Sequence, residues 1–234
     1  MIPVLTKNNP ISRITLNDSF ILLIDKEEGW TSFDVVKKLR GLLKIRKIGH
    51  AGTLDPFATG LLIVGIGKAT RQLSQYAQAL KTYRAVIRLG EETDSYDKTG
   101  ELLSSTSTEA VKIDDIKRAL ERLKGPIEQV PPMFSAKKMQ GRRLYELARK
   151  NIVIERDPVP VHIYDVDILS WNNPCLQLEL TVSKGTYIRS YAHDLGQLIG
   201  CGGHLDDLRR LAIGDMTVDD GFTMVEFRKY WLKN

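Results

Sequence analysis

Hydrophobic positions change their period along the chain and mark out strands and helices in turn. Phe20 to Asp25 is a short, nearly continuous apolar run and reads as a buried strand. From Thr31 to Lys47 the spacing predicts a helix, with Thr31 or Ser32 as N-cap. Val36, Leu39 and Leu43 fall on one face, and the lysines and arginines lie off it. Leu61 to Ile66 reads as a second buried strand. Tyr83 to Leu89 alternates, with Tyr83, Ala85, Ile87 and Leu89 on one face and Arg84, Val86 and Arg88 on the other. Residues 114 to 123 predict a helix through Ile116, Leu120 and Leu123. The pair Pro131-Pro132 opens an irregular basic segment that turns helical near Leu144, Leu147 and Ala148. Val161 to Leu169 and Leu176 to Val182 read as strands, the second with strict alternation at Leu176, Leu178, Leu180 and Val182. Two helices are expected after them, one through Tyr191, Leu195 and Leu198 and one around Leu205, Leu208 and Leu211. Strands outnumber long helices at tight spacing, so the expected fold class is α+β, a mixed and mostly antiparallel sheet flanked by helices. Neither a fixed repeat nor a long linker interrupts the chain, which predicts a single domain over residues 1–234.

Composition narrows the class. At 234 residues, 42% hydrophobic and 27% charged, the chain can bury a proper core and is not a disordered polymer. Cys175 and Cys201 form no C-x-x-C pair, which argues against a disulfide framework and for reduced thiols. The first apolar run is too short for a signal sequence, and the longest, Leu61 to Ile66, is strand-sized. A cytoplasmic protein without membrane attachment is expected.

Charge is more telling in its distribution than in its sum of +5. Lys37 to Lys47 holds six basic residues and no acid, and Pro131 to Lys150 holds six against one, Glu146. Residues 91 to 115 carry eight acids and two bases. A polyanion would be drawn to the first two segments and repelled by the third, although a solvated helix face explains either basic run taken alone.

Several chemistries have little support. There is no H-E-x-x-H, and the four histidines form no zinc-spaced cluster with cysteine. GIGKAT, Gly65 to Thr70, imitates a P-loop but has Leu62 where the leading glycine belongs, and Thr70 breaks a G-x-G-x-x-G reading. No G-x-S-x-G elbow occurs. Neither a metal nor a cofactor is expected.

What remains is GHAGTLDPFATG, Gly49 to Gly60, where three glycines and a proline within twelve residues indicate a loop of unusual backbone angles. Asp55 precedes Pro56, which biases it towards an extended conformation. Two compatible readings follow: Asp55 caps a short helical turn starting at Pro56, or the rigid turn presents a carboxylate for chemistry.

The string GHAGTLDPFATGLL resembles the signature of TruB-type tRNA pseudouridine synthases, in which the aspartate of the LDP triplet is the nucleophile. Four more segments match that family in order: KTYRAVIRLG (Lys81 to Gly90), PPMFSAKKMQGRRLYELAR (Pro131 to Arg149), KGTYIRSYAHDLG (Lys184 to Gly196) and LRRLAIG (Leu208 to Gly214). The similarity spans about residues 20 to 215. It implies the pseudouridine synthase fold and conversion of uridine 55 in the T loop of tRNA, without cofactor or metal. The tRNA T arm is the expected partner, and a monomer without an obligate protein partner is the default expectation.

Carried over residue by residue, the resemblance makes Asp55 the nucleophile and Arg189 the cation that keeps it ionised. Tyr83 stacks on and positions the base. Tyr187 and Leu208 close the uracil pocket, His50 holds the opened RNA, and Lys26 is a further substrate contact. A thumb-like insertion at about 131–151 brings Lys137, Lys138, Arg142 and Arg143 to the phosphates. Each has a plainer alternative: a surface arginine, core tyrosines and leucine, an incidental histidine and a solvated charge run. Two departures stand out. Where the family often reads K-P-x-G-x-T-S, this chain has Lys26, Glu27, Glu28, Gly29, Trp30, Thr31, Ser32, so the turn loses its proline. The sequence also stops at Asn234, about twenty residues after the last motif, so a C-terminal PUA domain is not expected. Two further functions share these motifs: a tRNA-folding chaperone that binds the T arm, and a guide-RNA-dependent pseudouridine synthase.

Overall fold

The structure, a computed structural model, describes residues 2–9, 19–134, 138–139, 142–143 and 154–233, the two short pairs by their backbone alone. Along the chain the elements run β1 (Val4–Leu5), β2 (Ile21–Lys26), α1 (Ser32–Leu43), β3 (Ile48–Ala51), β4 (Thr59–Ile66), α2 (Leu73–Gln78) and β5 (Lys81–Leu89). Next come β6 (Glu91–Thr93), β7 (Leu102–Ser105), α3 (Ile113–Arg122), β8 (Gly125–Gln129), β9 (Lys138–Met139) and β10 (Arg142–Arg143). The chain closes with β11 (Val159–Asn172), β12 (Cys175–Val182), α4 (Ile188–Ile199), β13 (Gly203–Ile213), β14 (Met216–Thr217) and α5 (Met224–Lys233). Packing divides it into two units, Met1–Tyr83 with Leu208–Asn234, and Arg84–Asp207.

In the first unit β4 is central. β2 pairs with it antiparallel from Ile21↔Gly65 to Lys26↔Gly60, and β3 pairs antiparallel from Ile48↔Ile66 to Ala51↔Ile63. The second half of β13 joins it in parallel at Arg209↔Thr59 and Arg210↔Gly60. Leu22, Ile24, Leu62 and Val64 face a layer containing Val36, Leu39 and Leu43 of α1 and Phe227 of α5. Ile21, Leu23, Leu61 and Ile63 pack on the other side with Ala51, Ala69, Ile213 and Val218. Coverage of both faces is why these strands read as unbroken apolar runs instead of alternating. Thr31 caps α1: its hydroxyl oxygen accepts from the Asp34 N–H at 3.0 Å, and the Asp34 carboxylate accepts from the Thr31 N–H at 3.0 Å. The helix ends at Leu43, short of the expected Lys47, because Lys44 turns left-handed at φ 57° and sends the chain back into the sheet.

In the second unit the strand order is β5-β12-β11-β8, with β11 antiparallel to both neighbours. The alternation expected of β12 holds, with Leu176, Leu178, Leu180 and Val182 all buried. α3 and α4 pack together beside this sheet, α3 burying Ile116, Ala119 and Leu120 and α4 burying Ile188, Tyr191 and Leu195. Gly200, at φ 88°, stops α4. The expected α+β class, mixed sheet flanked by helices, is what the chain adopts.

The helix expected around Leu205, Leu208 and Leu211 is instead strand β13. Its inward positions include Leu208 and Arg210, both buried, with Arg209 between them on the more exposed side. A buried arginine at an inward register hides the apolar period of two, and the leucine spacing of three then imitates a helix. The expected thumb-like insertion lies largely outside the described residues, and so does the helical turn expected near Leu144, Leu147 and Ala148. Two backbone pairs within it, β9 and β10, are antiparallel, with Arg142 opposite Met139 and Arg143 opposite Lys138.

Candidate active site

The loop between β3 and β4 carries Asp55 on a turn held from several directions. Leu54, Phe57 and Ala58 are buried, while Asp55 is half-buried and Pro56 exposed, so apolar neighbours anchor a carboxylate that stays reachable. No helix starts at Pro56. The Ala58 N–H donates to the Asp55 carbonyl at 3.1 Å and closes a single bend. Ser32, at the start of α1, fixes the preceding residue: its Oγ accepts from the Leu54 N–H at 2.9 Å and donates to the Leu54 carbonyl at 3.3 Å. On the far side, the Pro56 carbonyl accepts from the Gly29 N–H at 2.8 Å.

Lys26, the last residue of β2, is fully buried beneath this turn. Its Nζ donates to the carbonyls of Trp30 at 2.7 Å, Glu27 at 3.0 Å and Pro56 at 3.3 Å. Burial lowers its pKa from 10.5 to about 8, Asp55 pulls it back up, and Arg210 pushes it down. The ammonium therefore stays charged at neutral pH and offers Asp55 a nearby positive charge. The missing proline of the N-terminal turn leaves this arrangement in place, because Lys26 is held by backbone carbonyls, and Glu27 supplies one as a proline would.

Sequence reading missed Arg210. It is 1% exposed; Nε donates to the Leu61 carbonyl at 2.7 Å and Nη2 to the Gly52 carbonyl at 3.0 Å. Its guanidinium thus ties the base of the Asp55 loop to β4. The LRRLAIG motif contained the signal, since one of two adjacent arginines on a strand must face inward. The other, Arg209, forms a two-pronged ion pair with Asp25, at 2.7 Å and 3.0 Å. His50, half-buried on β3, is held below its ordinary pKa by burial and then by Arg210. Its Nδ1 has no hydrogen-bond partner among the described residues. Lys26, His50 and Asp55 thus belong to one unit, together with Arg210.

Tyr83 is 8% exposed on the inward side of β5, in step with Ala85, Ile87 and Leu89, and Leu208 is buried on β13. Tyr187 caps α4 and its N–H donates to Gln129 Oε1 at 2.8 Å. Arg189 is no surface arginine: it is 4% exposed on α4. Nη1 lies 3.4 Å from Asp97 Oδ2 and donates to the Ser95 carbonyl at 3.3 Å, while Nη2 donates to the Phe134 carbonyl at 2.7 Å. No local pattern pointed to Asp97 as its partner, because the two residues meet across 92 positions of chain. Lys137 lies outside the described residues, and Lys138, Arg142 and Arg143 are described by backbone only. Among the described residues no group of three or more His, Cys, Asp or Glu could hold a metal ion, and no helix is long and apolar enough to cross a membrane.

Residues 40–188 match the TruB family pseudouridylate synthase (N terminal domain), and residues 189–234 match the tRNA pseudouridylate synthase B C-terminal domain. The tRNA pseudouridine synthase B of Solibacter usitatus is 47% identical over 204 residues, covering 87% of this chain and 70% of that protein. The protein of the same name from Protochlamydia amoebophila is 50% identical over 201 residues, covering 86% and 76%. Among solved structures, a chain of a Cbf5-Nop10-Gar1 complex superposes with a TM-score of 0.70 at 27% identity over 90% of this chain. A chain of an H/ACA RNP bound to a substrate RNA containing 2'-deoxyuridine gives 0.67 at 26%. This chain spans 53% and 54% of the length of those two solved chains.

Proposed function

From the premise that the chain belongs to the TruB family of pseudouridylate synthases, we propose that it isomerises uridine 55 in the T loop of tRNA, with Asp55 as the nucleophile. The reaction breaks the N1–C1′ bond, turns the uracil and rejoins it through C5, so that the C5 proton leaves and N1 gains one. The carboxylate attacks C1′ or C6, or stabilises the cationic sugar of a glycal route; each requires it ionised beside the base. The base must first leave its stack, because the bond to be broken lies inside folded RNA.

The observation that carries this reading is the half-buried carboxylate on a turn pinned by Ser32, with the buried Lys26 ammonium close enough to be pulled by its charge. A carboxylate in an apolar loop resists ionisation unless a cation stands near, and Lys26 supplies one. In this proposal Tyr83 positions the extruded base and Arg189 supports the carboxylate. Tyr187 and Leu208 close the pocket, His50 holds the opened RNA, and Lys137, Lys138, Arg142 and Arg143 grip phosphates of the T arm. The protein acts as a cytoplasmic monomer without a cofactor.

The test is tritium release from a tRNA transcript labelled at uridine C5, with purified protein and no metal or cofactor added. Multiple turnover by the wild type that vanishes in Asp55→Asn, with tRNA binding intact, is the expected result. The likeness to chains from H/ACA and Cbf5 assemblies favours a second reading, a synthase that needs a guide RNA. Release that begins only after a guide RNA is supplied would select it. Binding without release under any condition would leave a T-arm chaperone.

A further inference from the structure

On the first unit, α1 and α5 border an open groove of about 470 Å3, lined by Trp30, Lys37, Lys38, Leu42, Met224 and Arg228. Lys37, Lys38 and Arg228 are exposed, so three cations stand over a wall of aromatic and aliphatic side chains. Asp34 also lines the groove, but its carboxylate accepts from the Thr31 N–H at 3.0 Å and from Thr31 Oγ1 at 2.6 Å. These bonds hold Asp34 ionised, so the groove carries three positive charges against one negative and stays net positive. Arg40, elsewhere on α1, lies over the Phe33 ring and donates from Nη2 to the Ile48 carbonyl at 2.9 Å. The groove cations are thus distinct from the arginine that braces the fold.

Gly41 sits in the groove wall in the interior of α1. A Cβ added there would meet nothing within 4 Å, and its φ is not positive, so neither backbone nor packing requires a glycine. Glycine within a helix is destabilising relative to alanine. The physical effect of keeping it is an unobstructed groove between Lys37, Lys38 and Arg228. Trp30, in the groove lining, is also tied to the Asp55 turn through its backbone. The Trp30 carbonyl accepts from Lys26 Nζ at 2.7 Å, and Ser32, two residues on, holds Leu54.

We infer that this groove is a second RNA-docking surface, which seats the phosphodiester backbone of the substrate RNA away from the nucleotide presented to Asp55. Phosphates meet Lys37, Lys38 and Arg228, and Trp30 offers a flat face to a neighbouring base. Charge complementarity selects a polyanion. Trp30 in the lining, whose carbonyl holds Lys26 beneath the Asp55 turn, selects RNA over an acidic peptide. The inference rests on the RNA-modifying reading above for the identity of the RNA.

The test compares Gly41→Glu with Gly41→Lys, which fill the same space with opposite charge and leave every existing cation in place. Thermal unfolding checks that both are folded, and affinity for a tRNA transcript is measured across a salt series. The Glu variant should bind about tenfold more weakly than the Lys variant at low salt, with the gap closing as salt rises. Replacing Lys37, Lys38 and Arg228 together by Ala should flatten the salt slope of log K by about 2. Equal affinity of the two Gly41 variants with an unchanged slope would overturn the docking surface. So would polyglutamate competing as well as RNA at equal charge. Sign-dependent tRNA binding by a protein that releases no tritium would keep the groove and remove the proposed activity, so the two failures are distinguishable.

Discussion

Replacing Asp55 with Asn should lower the pH at which Lys26 loses its proton. In the wild type, burial brings the ammonium from 10.5 down to about 8 against the opposing pull of Asp55. That displacement corresponds to about 3 kcal/mol of disfavoured protonation. The neutral amide would leave the burial and the push from Arg210 and remove only the pull. A partly buried pair of opposite charges, at an effective dielectric between water and protein surface, interacts by about 1–2 kcal/mol, or roughly one pH unit. The assay follows the Lys26 Cε carbon by NMR from about pH 6 to about pH 11 in both proteins, a range that brackets the ordinary lysine value. The sign carries through to stability. With the folded pKa below the unfolded one, the unfolded chain holds more protons between about 8 and 10.5. The cost of the buried charge is therefore fully present below about pH 8, and stability recovers as pH rises across that window. In Asp55→Asn the recovery should begin at lower pH. A Lys26 midpoint that stays put or rises in Asp55→Asn would refute the coupling and, with it, the argument that Lys26 keeps the carboxylate ionised.

Two further outcomes follow from the same structure. Gly60 sits at φ 103° opposite Arg210, and a side chain there would collide with the Arg210 backbone. Gly60→Ala should therefore cost at least about 3 kcal/mol in urea unfolding, whereas a loss under about 1 kcal/mol would show that the β4–β13 contact can relax. Burial pushes the Asp194 carboxyl up to about 6. The folded state then holds the extra proton between about pH 4 and 6, and this group's contribution falls as pH rises through that range. Asp194→Asn should gain about 1–2 kcal/mol at about pH 7, allowing for partial exposure, and little at about pH 4. Equal effects at both pH values would argue against the shift.

Much of the site was legible from local signals. Gly49, Gly52 and Gly60 with Asp55-Pro56 mark a rigid loop ahead of the apolar run Leu61–Ile66, and the structure puts a turn there, between β4 and the unanticipated strand β3. Thr31 or Ser32 was expected to cap α1, and Thr31 does so, with Asp34 completing the cap in the folded chain. Strict alternation specified β12, and leucine spacing specified α4 until it misled at β13. The misreading and the missed residues share one cause. Arg210 occupies an inward strand position because the carbonyls of Gly52 and Leu61 are there to accept from it, and both belong to distant parts of the chain.

Local pattern was enough to say which stretches could bury a face, where the chain must turn, and which carboxylate the family signature singles out. Which charges go inside was settled by the folded chain. Lys26 and Arg189 look in the sequence like any basic residue, yet one is enclosed by three carbonyls and the other engages Asp97, Ser95 and Phe134. Periodicity reports the apolar faces because burying them is favourable almost anywhere. A charge is buried only where partners gathered from remote segments offset its desolvation, and that gathering exists only once the chain has folded.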